Sequence, residues 1–196
     1  MKFGSAKTAI HYFFNHQLMT PENDIEKLWV RVQHTVKGGA GAMWLSLELG
    51  DMVRPINTLG RLPLAWAMFA YAGEGWYSDL QYVQLKAHII YRCRQSLGIE
   101  KPNKDMCAKL SKMADLALHD YALRDTTGRP KFTDVQLCGA IGVQQSNWKK
   151  CWKEKYLAMQ KPLNTLAAKS LAPVRKRLDE LAEAEAMERE KALAPV

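Results

Sequence analysis

A chain of 196 residues, 47% apolar and 24% charged, holds enough apolar surface for one well-buried domain with at most a small appendage. No uncharged apolar run reaches the length of a membrane helix. Four cysteines without a spacing pattern (Cys93, Cys107, Cys138, Cys151) argue against a disulfide scaffold and for a reducing compartment. The net charge of +8 is unevenly placed. Residues 1–130 carry 16 cations and 12 anions, residues 131–177 carry 10 and 2, and residues 178–196 carry 2 and 6. That local surplus is the electrostatic footprint of a polyanion partner.

The opening MKFGSAKTAIHYFF turns polar too soon for a signal peptide. Ala6 to Gln17 is read as a short helix that docks Ile10, Tyr12, Phe13 and Phe14 on a body. Thr20-Pro21-Glu22 reads as a helix start: a cap, a proline whose missing N–H does no harm there, and an acid in the first turn. Ile25, Leu28, Trp29, Val32 and Val36 then mark one face as far as Gly38-Gly39. Met43, Leu45, Leu47 and Leu49 alternate as in a strand. An isolated strand needs a partner and none is evident, so helix is the reading. Pro55 and Gly60 bracket a loop. Pro63 opens LPLAWAMFAYAG, apolar on nearly all sides and predicted to be the buried central helix, with Gly73 and Gly75 breaking it. Trp76 to Leu97 is predicted helical, with Leu80, Val83, Ala87, Ile90 and Tyr91 as its apolar positions and Gly98 as its cap. Asn103 caps the next helix, which turns Met106, Leu110, Met113, Leu116, Ala117 and Tyr121 inward.

The stretch from Phe132 to Tyr156 has the most specific pattern. Thr133 and Gln136 are spaced for a capping box, and Phe132 for a hydrophobic staple onto Leu137. A helix from Asp134 carries Leu137, Cys138 and Ile141 toward a core. Gly142 permits the left-handed backbone of a tight turn, with Val143 as an apolar plug. A second helix from near Gln145 places Trp148, Cys151, Trp152 and Tyr156 on one side. The pattern predicts a helix-turn-helix; an ordinary helical corner with a solvated lysine face is the alternative. Beyond it, Pro162 and Pro173 are expected to interrupt helical sequence briefly. The segment Val174 to Leu193 loses its apolar spacing after Leu181, which predicts a frayed or exposed helix. The fold class expected is all-α: a helical body (1–130), a helix-turn-helix (131–161) and a trailing exposed helix (162–196).

Chemical motifs are absent. There is no phosphate loop, H-E-x-x-H or G-x-S-x-G, and GGAGA at 38–42 lacks the lysine and context of a phosphate loop. The spacings of Cys93 and Cys107 with His88 or His119 fit no compact zinc motif. Asp115 and Asp120 beside His119 are read as a solvated helix face. The expectation is a protein without catalytic residues, metal, cofactor or small-molecule substrate.

Three stretches together resemble the lambda-type phage late-gene antitermination proteins, the Q family. They are NHQLMTPENDIEKLWVRVQHTVKG at 15–38, LPLAWAMFAYAGEGWYSDL at 62–80 with its Phe69-Ala70-Tyr71-Ala72 core, and IGVQQSNWKKCWKEKYLAM at 141–159. The lambda-type protein carries a cysteine-rich zinc loop before its helix-turn-helix. Residues 86–131 here hold only Cys93 and Cys107 and read as two amphipathic helices, so that metal site is not carried over. The resemblance implies a cytoplasmic, nucleoid-associated protein of an infected bacterium that binds double-stranded DNA near the late promoter. It implies loading onto RNA polymerase with its initiation factor, and readthrough of terminators. Position within the matching hairpin puts Gln144, Gln145, Ser146, Lys149 and Lys150 at the major groove, with Asn147 and Lys153 at its margin or on phosphate. Arg175-Lys176-Arg177 and the last helix are candidates for polymerase contact by charge alone. A simple repressor or activator, or a DNA-gripping packaging adaptor, are the competing readings.

Overall fold

The computed structural model describes residues 4–16, 50–72 and 75–193. The helix expected at 20–39 and the ambiguous segment at 43–49 lie outside the described residues. Regular structure among the described residues is helical, with no strand. None of those helices is long and apolar enough to cross a membrane. The chain divides into two compact units, Met1–Trp76 with Lys169–Val196, and Tyr77–Ala168.

In the first unit, α1 (Ala6–His16) buries Ala9, Ile10, Phe13 and Phe14; of the docking residues expected, Tyr12 is only half-buried. Residues 50–57 form α2, so Pro55 lies within a helix and the turn is confined to 58–60. Burial of Met52, Val53 and Ile56 outweighs the one hydrogen bond that proline removes. The Thr58 hydroxyl donates to the Pro55 carbonyl at 2.7 Å, satisfying an acceptor at the helix end. The predicted central helix runs as α3 (Arg61–Ala67) and widens into a π turn, Met68–Ala72. Two side chains of α1 close that turn: His11 Nδ1 donates to the Tyr71 carbonyl at 2.9 Å, and Asn15 to the Ala72 carbonyl at 3.0 Å.

In the second unit, α4 (Asp79–Ser96) starts at a capping box between Ser78 and Gln81. Its inward face is Leu85, Ile89 and Cys93, while Leu80, Val83 and Tyr91 are exposed. The expected face is thus corrected. This helix carries two apolar stripes at helical spacing, and the partner helix decides which one is buried. Next, α5 (Lys104–Thr127) begins at Asn103, whose side chain accepts from the Met106 N–H. Leu110, Met113, Ala117 and Tyr121 are buried as the spacing predicts.

After α6 (Asp134–Ile141) and the short α7 (Gln145–Asn147), a π turn at Trp148–Trp152 leads without a break into α8 (Lys153–Leu193). Pro162 and Pro173 interrupt nothing: both lie inside α8, which runs 41 residues. Buried neighbours in each turn (Met159, Leu163, Leu166; Leu171, Val174) hold the helix together where the prolines withhold a donor. Residues 161 and 162, where a boundary was expected, are consecutive in this helix. Beyond Leu181 nearly every described side chain of α8 is exposed.

Candidate nucleic-acid interface

The site is built from the turn outward. Thr133 Oγ1 accepts from the Gln136 N–H at 3.3 Å, and Gln136 Oε1 accepts from the Thr133 N–H at 2.9 Å. This reciprocal pair fixes where α6 begins. Leu137, Cys138 and Ile141 are buried. Gly142 then takes φ +68°, and its N–H and that of Val143 return to carbonyls of the last turn. This left-handed closure turns the chain sharply before Gln144.

The second helix is anchored by Trp148, Trp152 and Tyr156, all buried, with the Trp148 and Tyr156 rings 5.8 Å apart. The Lys153 N–H reaches back five residues to the Trp148 carbonyl. A π turn rotates less per residue than an α turn, so Trp148, Trp152 and Tyr156 stay on a narrower stripe than a strict α-helix allows. Cys151, expected on this buried side, is exposed; the widened turn explains its displacement.

Around that stripe, Gln144, Gln145, Ser146, Asn147, Lys149 and Lys150 are all exposed. None of their side chains forms a hydrogen bond or ion pair with the described residues. Lys153 is also exposed, but its ammonium meets the Asp134 carboxylate at 2.8 Å. That hydrogen bond, first among several causes, holds the Asp134 carboxyl below its usual range; Lys149 adds to it. The buried Trp148 indole N–H also lies near this carboxylate and helps lower it, without reaching full hydrogen-bond geometry with any partner.

Asp120 is the residue whose role sequence reasoning missed. It is 2% exposed, not part of a solvated face. One carboxylate oxygen accepts from the backbone N–H groups of Lys131 and Phe132 at 2.6 and 3.1 Å. The other accepts from the Tyr156 hydroxyl at 2.7 Å. A single buried carboxylate on α5 therefore ties the strap entering α6 to the helix leaving the π turn. Burial and this carboxylate push the Tyr156 hydroxyl well above its ordinary range. The legible signal was position: Asp120 falls within the apolar register of Met113, Ala117 and Tyr121. Asp115 is half-buried and is held by the Tyr82 hydroxyl and the Lys86 ammonium, at 2.9 and 2.8 Å.

The interval 86–131 is formed by α4 and α5. Cys93 is buried there, donates to the Lys155 carbonyl at 3.5 Å, and has its thiol pushed up to about 11 by that burial. Cys107 is exposed. No group of three or more His, Cys, Asp or Glu comes together among the described residues.

Comparison with known proteins places this arrangement. No curated protein and no solved structure shows a significant similarity to the chain. The family model for phage antitermination protein Q matches residues 47–192, a span that takes in the buried α3, the α4–α5 hairpin, the capped pair and nearly all of α8. With that match over most of its length, the chain belongs to the phage antitermination protein Q family.

Proposed function

We propose that the capped pair is a DNA-binding helix-turn-helix, and that the protein uses it to select an element near the phage late promoter. It then loads onto RNA polymerase with its initiation factor and suppresses termination of late-gene transcription. The observation that carries this reading is the set of exposed side chains Gln144, Gln145, Ser146, Asn147, Lys149 and Lys150, without hydrogen bonds or ion pairs to the described residues, just beyond a left-handed turn. Gln and Asn side chains pair with adenine edges, and lysine with guanine or phosphate. Lys153, engaged by Asp134, serves phosphate at the margin. In this reading residues 131–161 choose the site, the body of residues 1–130 carries the effect on transcription, and the exposed end of α8 in segment 162–196 is available to polymerase. The place of action is the bacterial nucleoid.

The test is run-through transcription with purified polymerase. The protein raises readthrough of an intrinsic terminator on a template bearing its own late-promoter region and not on an unrelated one. Lys149→Ala with Lys150→Ala lowers duplex affinity and reduces the salt slope by about one to two ion equivalents. Readthrough unaffected on the cognate template removes the antitermination mechanism. Unchanged affinity and slope in the double variant remove the helix pair as the reader.

A further inference from the structure

A concavity within the unit Tyr77–Ala168 has the chemistry of an anion site. A cleft of about 320 Å³ opens between the end of α4 and α8, with Arg92, Gln95 and Ser96 on one wall and Lys161 and Thr165 on the other, over Pro162. Two cations face this cleft and no carboxylate lines it. Neither Arg92 nor Lys161 forms an ion pair with any described residue. Two other surface clefts that hold cations, around Lys7 with Arg175 and around Arg175 with Lys176, each include at least one acid.

The donor count points the same way. Arg92 Nη1 donates to Gln95 Oε1 at 3.0 Å, which orients the guanidinium and leaves its other donors free. The same bond assigns the Gln95 amide, whose NH₂ then carries two further donors. Lys161 adds three. The Ser96 and Thr165 hydroxyl protons are directed to the Cys93 and Lys161 carbonyls, so they are not counted. A cleft rich in donors, without a competing acid, suits a phosphate oxygen cluster; arginine offers it a fork and lysine a point charge. Lys161 lies eleven residues after Lys150, about three turns and roughly 16 Å along a helix, which is within the reach of one nucleic-acid backbone.

We propose that the Arg92–Lys161 cleft binds a phosphodiester of a nucleic-acid backbone, outside the residues that read sequence. The proposal extends the helix-turn-helix reading, and its test separates the two. Full-length wild type, Arg92→Ala with Lys161→Ala, and the charge-retaining Arg92→Lys with Lys161→Arg are titrated at several salt concentrations. The probes are a late-promoter duplex, a scrambled duplex of equal length and a single-stranded RNA oligonucleotide. The alanine pair is expected to weaken both duplexes alike, by roughly ten- to fiftyfold at low salt, and to reduce the salt slope by about two ion equivalents. The ratio between the two duplexes stays unchanged and the charge-retaining pair keeps most of the affinity. A loss confined to the RNA arm assigns the same phosphodiester site to RNA. Unchanged affinity and slope in all arms, or no binding of any probe by wild type, overturns the proposal. If Lys149→Ala with Lys150→Ala is neutral while the cleft variant is impaired, the helix-pair reading fails and the cleft stands.

Discussion

At the scale of single residues, two carboxylates of the second unit do different work because their surroundings differ. Asp120 is buried and accepts three hydrogen bonds. Asp120→Ala leaves the Tyr156 hydroxyl and two backbone N–H groups without a partner, so a loss of about 3 kcal/mol is expected. The thermal midpoint should fall by roughly 6–12 °C; a drop of a degree or two would mean the strap is held by packing instead. Asp134 is partly exposed and tied to Lys153. Its carboxyl is lowered when folded, so this contribution is present above the usual carboxylate range and fades as pH falls through the depressed value. Asp134→Asn releases the Lys153 ammonium and removes an anion beside the proposed groove-facing row. Duplex affinity at neutral pH is therefore expected to rise severalfold, without regard to sequence, in a direct titration. A decrease would show that Asp134 positions Lys153 for phosphate and does not compete with it.

At the scale of elements, local chemistry was readable and facing was not. Thr133, Asn103, Gly98 and Gly142 act within a few residues of themselves, so the starts of α5 and α6 and the sharp turn at Gly142 follow from spacing. The inward face of α4 does not, because its two apolar stripes are chosen between by α5. The continuity of α8 through Pro162 and Pro173 depends likewise on burial that the prolines themselves do not announce. Two glycines, one inside α6 and one at its end, test this local reading. Gly142 holds φ +68° with no heavy atom within 4 Å of the place a methyl would take, and Gly139 sits mid-helix with open space beside it. Gly142→Ala is expected to cost about 1–2 kcal/mol through backbone strain alone. Gly139→Ala should add roughly 0.5–1 kcal/mol of stability. Chemical denaturation of the two variants checks the pair; a stabilised Gly142 variant beside a destabilised Gly139 variant would place the helix end elsewhere.

At the scale of the molecule, the four cysteines give a map of protection. All lie within Tyr77–Ala168. Cys93 and Cys138 are buried and Cys107 and Cys151 exposed. Burial raises both the Cys93 and Cys138 thiols, Cys93 to about 11, which lowers their thiolate fraction. A thiol reagent added to the folded protein is expected to modify two groups quickly and two only as fast as the unit opens. Cys107 lies near the start of α5 and is not part of the proposed reading row. Cys151 follows Lys150 directly and sits one helical turn after Asn147, on the same side of the helix. A late-promoter duplex should therefore slow modification of Cys151 and leave Cys107 unaffected, followed by mass spectrometry of the labelled peptides. Equal slowing of both would indicate a general shielding of the unit. No slowing of Cys151 at saturating duplex would move the DNA off this helix, whatever the protein does to termination. Helical spacing alone would have hidden Cys151 beside Trp148 and Trp152, since the widened turn at Trp148–Trp152 is what brings it out of the buried stripe.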